Sequence, residues 1–129
     1  MLLNGLKSPT GGMMEMKVLA FEDSVDIEAL LLSRGINLDN FLIKQYWDSH
    51  DYLNRIENYD PDVLLLDHYM PPTKGLILLQ NLLKSDIKRP SIIVAMSSAT
   101  MANQAMKKSG ADFAIEKFRL SELGIWNQS

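Results

Sequence analysis

The chain has 129 residues, 47% hydrophobic and 22% charged, with a formal net charge of -3 and a pI near 5.3. This fits one globular domain and lacks the basic footprint that direct nucleic-acid binding calls for. The absence of cysteine excludes disulfides, zinc–thiolate centres and thiol catalysis. No apolar run approaches the ~20 residues of a membrane helix, and the N-terminus lacks the basic region and apolar core of a signal peptide, so a cytoplasmic location is expected.

Residues 1–15 include Pro9, Gly11 and Gly12 and show neither helical nor strand period, so they read as a flexible leader or a cloning remnant. The folded domain is expected over residues 16–129. It begins with Met16–Phe21, almost continuously apolar like a strand buried on both faces. A helix follows over Ser24–Arg34, with Asp26 and Glu28 in its first turn, Leu30, Leu31 and Leu32 as its apolar face and Gly35 as its stop. Asn40–Tyr46 alternates and carries Lys44 and Gln45, which suits an edge strand. Ser49–Asn58 reads as a helix, with Leu53 and Ile56 facing inward, and Val63–Leu66 as an aliphatic strand ending at Asp67.

The rhythm then repeats: a Leu-rich helix over Leu76–Lys84, a strand over Ile92–Met96 and a helix over Met101–Lys108 stopped by Gly110. The last strand is expected over Phe113–Lys117 and a short helix over Leu120–Trp126. Met101 and Met106 read as core packing, and Trp47 and Trp126 as amphipathic packing near the surface. Five strands alternating with five helices give an α/β domain around a parallel sheet, with helices on both faces. Ligands of such sheets bind beyond the carboxyl ends of the strands. The polar residues there are Glu22, Asp23, Asp67, Ser97, Ser98 and Lys117.

Three carboxylates in one crevice raise one another's pKa unless a cation offsets them. Mg²⁺ favours a few carboxylates with water and a phosphate oxygen, and with the Lys117 ammonium it would balance Glu22, Asp23 and Asp67. A carboxylate can also be a nucleophile that forms an acyl phosphate. Phosphoryl transfer asks mainly for in-line positioning and charge stabilisation on the equatorial oxygens, which Mg²⁺, Lys117 and a Ser97 hydroxyl can supply.

The run Asp67-His68-Tyr69-Met70-Pro71-Pro72-Thr73-Lys74-Gly75 resembles the receiver signature of two-component response regulators, in which the phosphoacceptor Asp is followed by Met-Pro and then Gly. Glu22-Asp23 after the first strand resembles the family's metal-binding pair, and Ser97 resembles the Ser or Thr that ends its fourth strand. Gly110-Ala111-Asp112-Phe113-Ala114-Ile115-Glu116-Lys117 resembles the approach to its lysine. The motifs fall in order between Met16 and about Trp126. The resemblance implies a doubly wound, flavodoxin-like (CheY-like) five-stranded sheet of order 2-1-3-4-5 with five helices. It implies phosphorylation of Asp67 by a histidine kinase or phosphotransfer protein, and Mg²⁺ held by Asp23, Asp67 and the Tyr69 backbone carbonyl, with Glu22 acting through the metal's water shell. Ser97 and Lys117 would bind the phosphoryl oxygens. Such a domain is a signalling module that catalyses its own phosphorylation and dephosphorylation. Its output is a changed surface on the fourth helix, last strand and last helix, read by a downstream protein rather than by nucleic acid or membrane.

Two positions depart from the family pattern. Phe118 stands where proline usually follows the lysine, and Ala114 where an aromatic switch residue usually lies. They leave open a pseudo-receiver, the same fold used as a phosphorylation-independent interaction module. An aspartyl-phosphate phosphatase is disfavoured because Tyr69 occupies the position where such enzymes commonly carry a second Asp. A flavin protein is disfavoured by the acidic crevice.

Overall fold

The computed structural model describes residues 15–127. Residues 1–14 of the expected leader lie outside the described residues. The elements run β1 (Met16–Phe21), α1 (Ile27–Ser33), β2 (Phe41–Tyr46), α2 (Tyr52–Tyr59), β3 (Val63–Leu66), α3 (Gly75–Lys84), β4 (Ile92–Ala95), α4 (Thr100–Ser109) and β5 (Phe113–Ala114). Two 3₁₀ segments follow, Lys117–Glu122 and Gly124–Trp126. All strand pairings are parallel, in the order β2-β1-β3-β4-β5. The chain therefore leaves β1 toward β2 on one side and returns to β3 on the other. The crevice at that reversal, above the ends of β1 and β3, is where the acidic pair and Asp67 meet.

Alternation along the strands builds two cores, one on each face of the sheet. Leu19, Phe21, Leu64, Leu66 and Ile93 face α2, α3 and α4, packing with Ile56, Leu78, Leu79, Leu82 and Met106. Val18, Ala20, Val63, Leu65 and Val94 face α1 and the 3₁₀ segments, packing with Ile27, Leu31, Leu120 and Trp126. At the β2 edge, Phe41 meets the Trp126 ring edge-on at 5.2 Å. The Trp126 indole N–H donates to the Leu120 carbonyl at 2.9 Å, so this tryptophan is a core residue, while Trp47 is half exposed.

Helix ends follow local chemistry. Asp26 is the N-cap of α1 rather than part of its first turn, accepting from the Ala29 amide at 3.1 Å. Gly35 takes the left-handed φ of 82° expected of a stop. The inward face of α1 is Ile27 and Leu31, and Leu32 is exposed, because successive helical residues are turned by about 100°. The same geometry corrects the reading of α4. Met106 is fully buried but Met101 is 82% exposed, since positions five apart lie on different faces.

The last strand is shorter than expected. Its ladder holds only Phe113 and Ala114, with Ile115 adding one bond to the Ala95 carbonyl. Glu116 then turns the chain, its carboxylate accepting from the Phe118 amide at 2.6 Å. Lys117 accordingly opens a 3₁₀ turn instead of ending a strand.

Gly75 opens α3 against the end of β3. A Cβ there would overlap the Asp67 carbonyl oxygen and press on the Asp67 carbonyl carbon and the His68 Cα. These are backbone atoms and cannot rotate away. Gly75→Ala is expected to cost about 1–3 kcal/mol by urea denaturation and to displace the loop carrying Asp67; wild-type stability would refute this close approach.

Candidate functional site

Glu22 and Asp23 extend β1, and Asp67 extends β3. The Glu22 amide donates to the Tyr46 carbonyl and the Asp67 amide to the Phe21 carbonyl, both at 3.0 Å. The ladders thus run one residue beyond the strands and aim these side chains into the crevice. One carboxylate oxygen from each of Glu22, Asp23 and Asp67 lies within 4.8 Å of the other two. Glu22 and Asp67 are buried, and Asp23 is exposed. Such an all-oxygen set, open to water on the Asp23 side, fits the hard, partly hydrated coordination that Mg²⁺ prefers.

Lys117 is buried and reaches into this cluster, its ammonium 2.9 Å from Glu22 Oε1 and 3.8 Å from Asp67 Oδ2. The trans Lys117–Phe118 peptide thus brings the lysine to the site without the usual proline; among the described residues the cis bond is Pro71–Pro72. Glu22 has no exposed surface. Its Oε2 accepts from the Ser24 amide and hydroxyl, each at 2.8 Å, and from the Val25 amide at 2.9 Å. Among the described residues its Oε1 has no hydrogen-bond donor in line, so the lysine meets that oxygen as an ion pair with poor directionality. Burial first, and then repulsion from Glu22, push the Asp67 carboxyl above the usual aspartate range. Lys117 and the His68 amide oppose that rise, while Asp23 adds weakly to it.

The remaining expected residues take defined places. Ser97 is buried at the end of β4, beside β3, and its hydroxyl accepts from the Ala99 amide at 3.1 Å. Ser98 is exposed. Tyr69 is 57% exposed and lies edge-on to His68 at 4.7 Å. His68 serves α3: its Nδ1 accepts from the Leu76 amide at 3.3 Å. Burial and the nearby Lys74 hold the imidazole below its usual pKa, which favours the neutral ring that this acceptor role needs.

Three residues to which sequence reasoning gave no site role hold the loops of the site. Asn103 is buried in α4. Its carboxamide accepts from the Ser97 amide at 2.8 Å and donates to the carbonyls of Ser97 at 2.7 Å and Ile115 at 3.1 Å. It therefore ties the Ser97 turn to the segment leading to Lys117. An amide beside Ala102 in a helix stripe ending at Met106 was a readable sign of this. Gln45 and Ser49 do similar work near β2. Gln45 shares the inward strand register of Phe41 and Ile43, whereas Ser49 carried no signal. Asn103→Ala would strand buried backbone groups at Ser97 and is expected to cost about 2–3 kcal/mol in urea denaturation; a neutral effect would show that water or a neighbour replaces these bonds.

Beside Asn103, Ala114 lines a surface groove of about 290 Å³ together with Ser97, Thr100 and Arg119. The small side chain leaves open the space where the resemblance places an aromatic ring.

Residues 18–123 match the response regulator receiver domain family. The chain is 33% identical over 85 residues, 66% of its length and 23% of the relative's, to protein-glutamate methylesterase/protein-glutamine glutaminase 3 of Vibrio cholerae. It is 25% identical over 109 residues, 84% of its length and 42% of the relative's, to the transcriptional regulatory protein TrcR of Mycobacterium tuberculosis. The chain thus spans less than half the length of these curated relatives. Among solved structures, the receiver domain of the Francisella response regulator 1452 superposes with a TM-score of 0.69 at 26% identity, covering 88% of this chain and 94% of that one. With its sheet order, its acidic crevice and this match along most of its length, the chain belongs to the response regulator receiver domain family.

Proposed function

We propose that this domain accepts a phosphoryl group on Asp67 from the phosphohistidine of a histidine kinase or phosphotransfer protein, in a Mg²⁺-dependent reaction. The observation that carries this reading is the convergence of Glu22, Asp23 and Asp67 within 4.8 Å, with Lys117 3.8 Å from Asp67. Asp23, Asp67 and the Tyr69 carbonyl would hold the ion, with Glu22 reached through its water shell. Bound Mg²⁺ would offset two of the three carboxylate charges and stabilise the equatorial phosphoryl oxygens.

The residues divide the remaining work. A carboxylate oxygen of Asp67 attacks phosphorus in line; the new O–P bond forms as the N–P bond of the donor breaks, and the leaving imidazole keeps the electron pair. Burial leaves Asp67 poorly solvated, so little water has to be stripped from the nucleophile before attack. Lys117 is held on Glu22 in the resting site and would turn part of its charge to the phosphoryl oxygens. The Ser97 hydroxyl would leave the Ala99 amide to donate to a phosphoryl oxygen, pulling on the turn that Asn103 ties to Ile115.

The added charge of about -1.5 to -2 would bias two arrangements of the α4, β5 and 3₁₀ face. That face already presents Met101, Phe113 and Phe118 to solvent, and a downstream protein would read it. With Ala114 in the groove, the tie through Asn103 would carry the signal in place of an inward-turning ring.

Incubation with acetyl phosphate and Mg²⁺, followed by intact-protein mass spectrometry, tests the reading. The expected result is a gain of one phosphoryl group that a chelator abolishes. A chain that binds Mg²⁺ but is labelled by neither acetyl phosphate nor a phosphorylated histidine kinase would instead be an interaction module.

A further inference from the structure

We propose that the end of β2 and the turn after it, which contribute no ligand or reacting group, form the brace that sets the spacing of the two metal-bearing loops, with Gln45 and Ser49 as its positioning residues. This inference rests on the Mg²⁺ reading above.

Asp23 lies in the loop after β1 and Tyr69 in the loop after β3, and this segment is bonded to both. The Gln45 carboxamide donates to the carbonyls of Glu22 at 2.9 Å and Val25 at 2.8 Å, which flank Asp23 and Ser24. Its oxygen accepts from the Ile27 amide at 2.9 Å, fixing the entry to α1. Four residues later, Ser49 grips the other loop and is 1% exposed. Its amide donates to the Pro71 carbonyl at 2.8 Å. Its hydroxyl donates to the Thr73 carbonyl at 2.8 Å and accepts from the Thr73 amide at 2.7 Å.

The brace is itself held. The Tyr46 ring stacks on Phe21 at 5.7 Å and carries the Arg55 guanidinium 4.0 Å from its centre. Arg55 in turn pairs with Asp48 at 2.9 Å. The far side of the Tyr69 loop is closed at His68, whose carbonyl accepts from the Met70 and Gly75 amides at 3.1 and 2.9 Å.

A backbone carbonyl has no side chain of its own through which its position can be adjusted. Tyr69 is more than half exposed, so its carbonyl is placed by whatever holds the loop around it. Ser49 holds that loop two and four residues downstream, and Gln45 holds the Asp23 loop from the same short segment. Removing either grip lets one ligand drift relative to the other, and positioning contacts of this kind typically change metal affinity 10–100-fold.

The test is Mg²⁺ titration calorimetry on the full chain, for wild type, Gln45→Met, Ser49→Ala and the near-isosteric Ser49→Cys. Urea denaturation without metal runs alongside. Leu82→Ala, buried in the last turn of α3 at the end opposite Gly75, serves as a control for general destabilisation. Each brace variant is expected to bind Mg²⁺ about tenfold more weakly while folded, and Leu82→Ala to bind like wild type. If Ser49→Ala does not fold, Ser49→Cys and Gln45→Met carry the comparison. Wild-type affinity in the folded brace variants, or an equal loss in Leu82→Ala, overturns the brace alone. A wild-type chain that takes no Mg²⁺ overturns the metal reading and the brace with it.

Discussion

Lys117→Met is expected to be the most destabilising single change at the site, at about 3–5 kcal/mol. Glu22 has no exposed surface, and the Lys117 ammonium at 2.9 Å is the positive charge facing its Oε1. Oε2 keeps its three donors, but Oε1 would be left charged, buried and facing Asp67. Methionine preserves most of the side-chain volume, so the loss reports charge rather than a cavity. The double variant Glu22→Gln/Lys117→Met removes both charges and is expected to recover most of the stability, because the cost lies in the orphaned partner. If the double variant is as unstable as the single one, Lys117 acts through packing. Since the three carboxylates are untouched in Lys117→Met, Mg²⁺ binding is expected to persist while phosphorylation slows; equal loss of both would remove the role given to the lysine.

Asp67→Asn is expected to abolish labelling by acetyl phosphate and, at neutral pH without Mg²⁺, to raise the melting temperature by a few degrees. A functional residue whose removal stabilises the fold follows from its surroundings: burial and Glu22 hold the Asp67 carboxyl above its ordinary range. A carboxyl whose pKa is raised by folding opposes the fold when ionised. Wild-type stability should therefore fall, through this group, as pH rises from the ordinary aspartate value of 3.8 through the raised one. The variant should lack that component. Saturating Mg²⁺ should close the gap by stabilising the wild type alone. Melting curves across pH, with and without Mg²⁺, check all three points; an Asp67→Asn variant less stable than wild type at neutral pH would mean that the Lys117 attraction outweighs burial and repulsion.

The elements that position the site were legible because their signals are local. Val63–Leu66 is a run of four aliphatic residues ending at a carboxylate, and its span matches the sequence reading. Gly35 and Gly110 stop helices where expected. The juxtaposition of Glu22, Asp23, Asp67 and Lys117 followed from topology, since parallel strands put all their carboxyl ends on one side.

What the sequence hid was decided by tertiary contact. The shortened β5 depends on Glu116 capping the turn at Phe118, a bond no periodicity announces. The exposure of Met101 depends on which face of α4 packs on the sheet: Met106 takes that face, and Met101, five positions away, is turned off it. Gln45 was read as an edge-strand residue, and β2 is indeed at the edge. Its inward amide, however, is spent on the β1–α1 loop, which only the packed structure brings within reach.

Phosphorylation of Asp67 is tested most directly by locating the acyl phosphate. The chain would be phosphorylated with acetyl phosphate and Mg²⁺, trapped with borohydride, which reduces an aspartyl phosphate to homoserine, and sequenced by peptide mass spectrometry. Homoserine is expected at position 67, with unmodified residues at 22 and 23. Reduction at Asp23, or labelled protein with an intact Asp67, would contradict phosphorylation at Asp67.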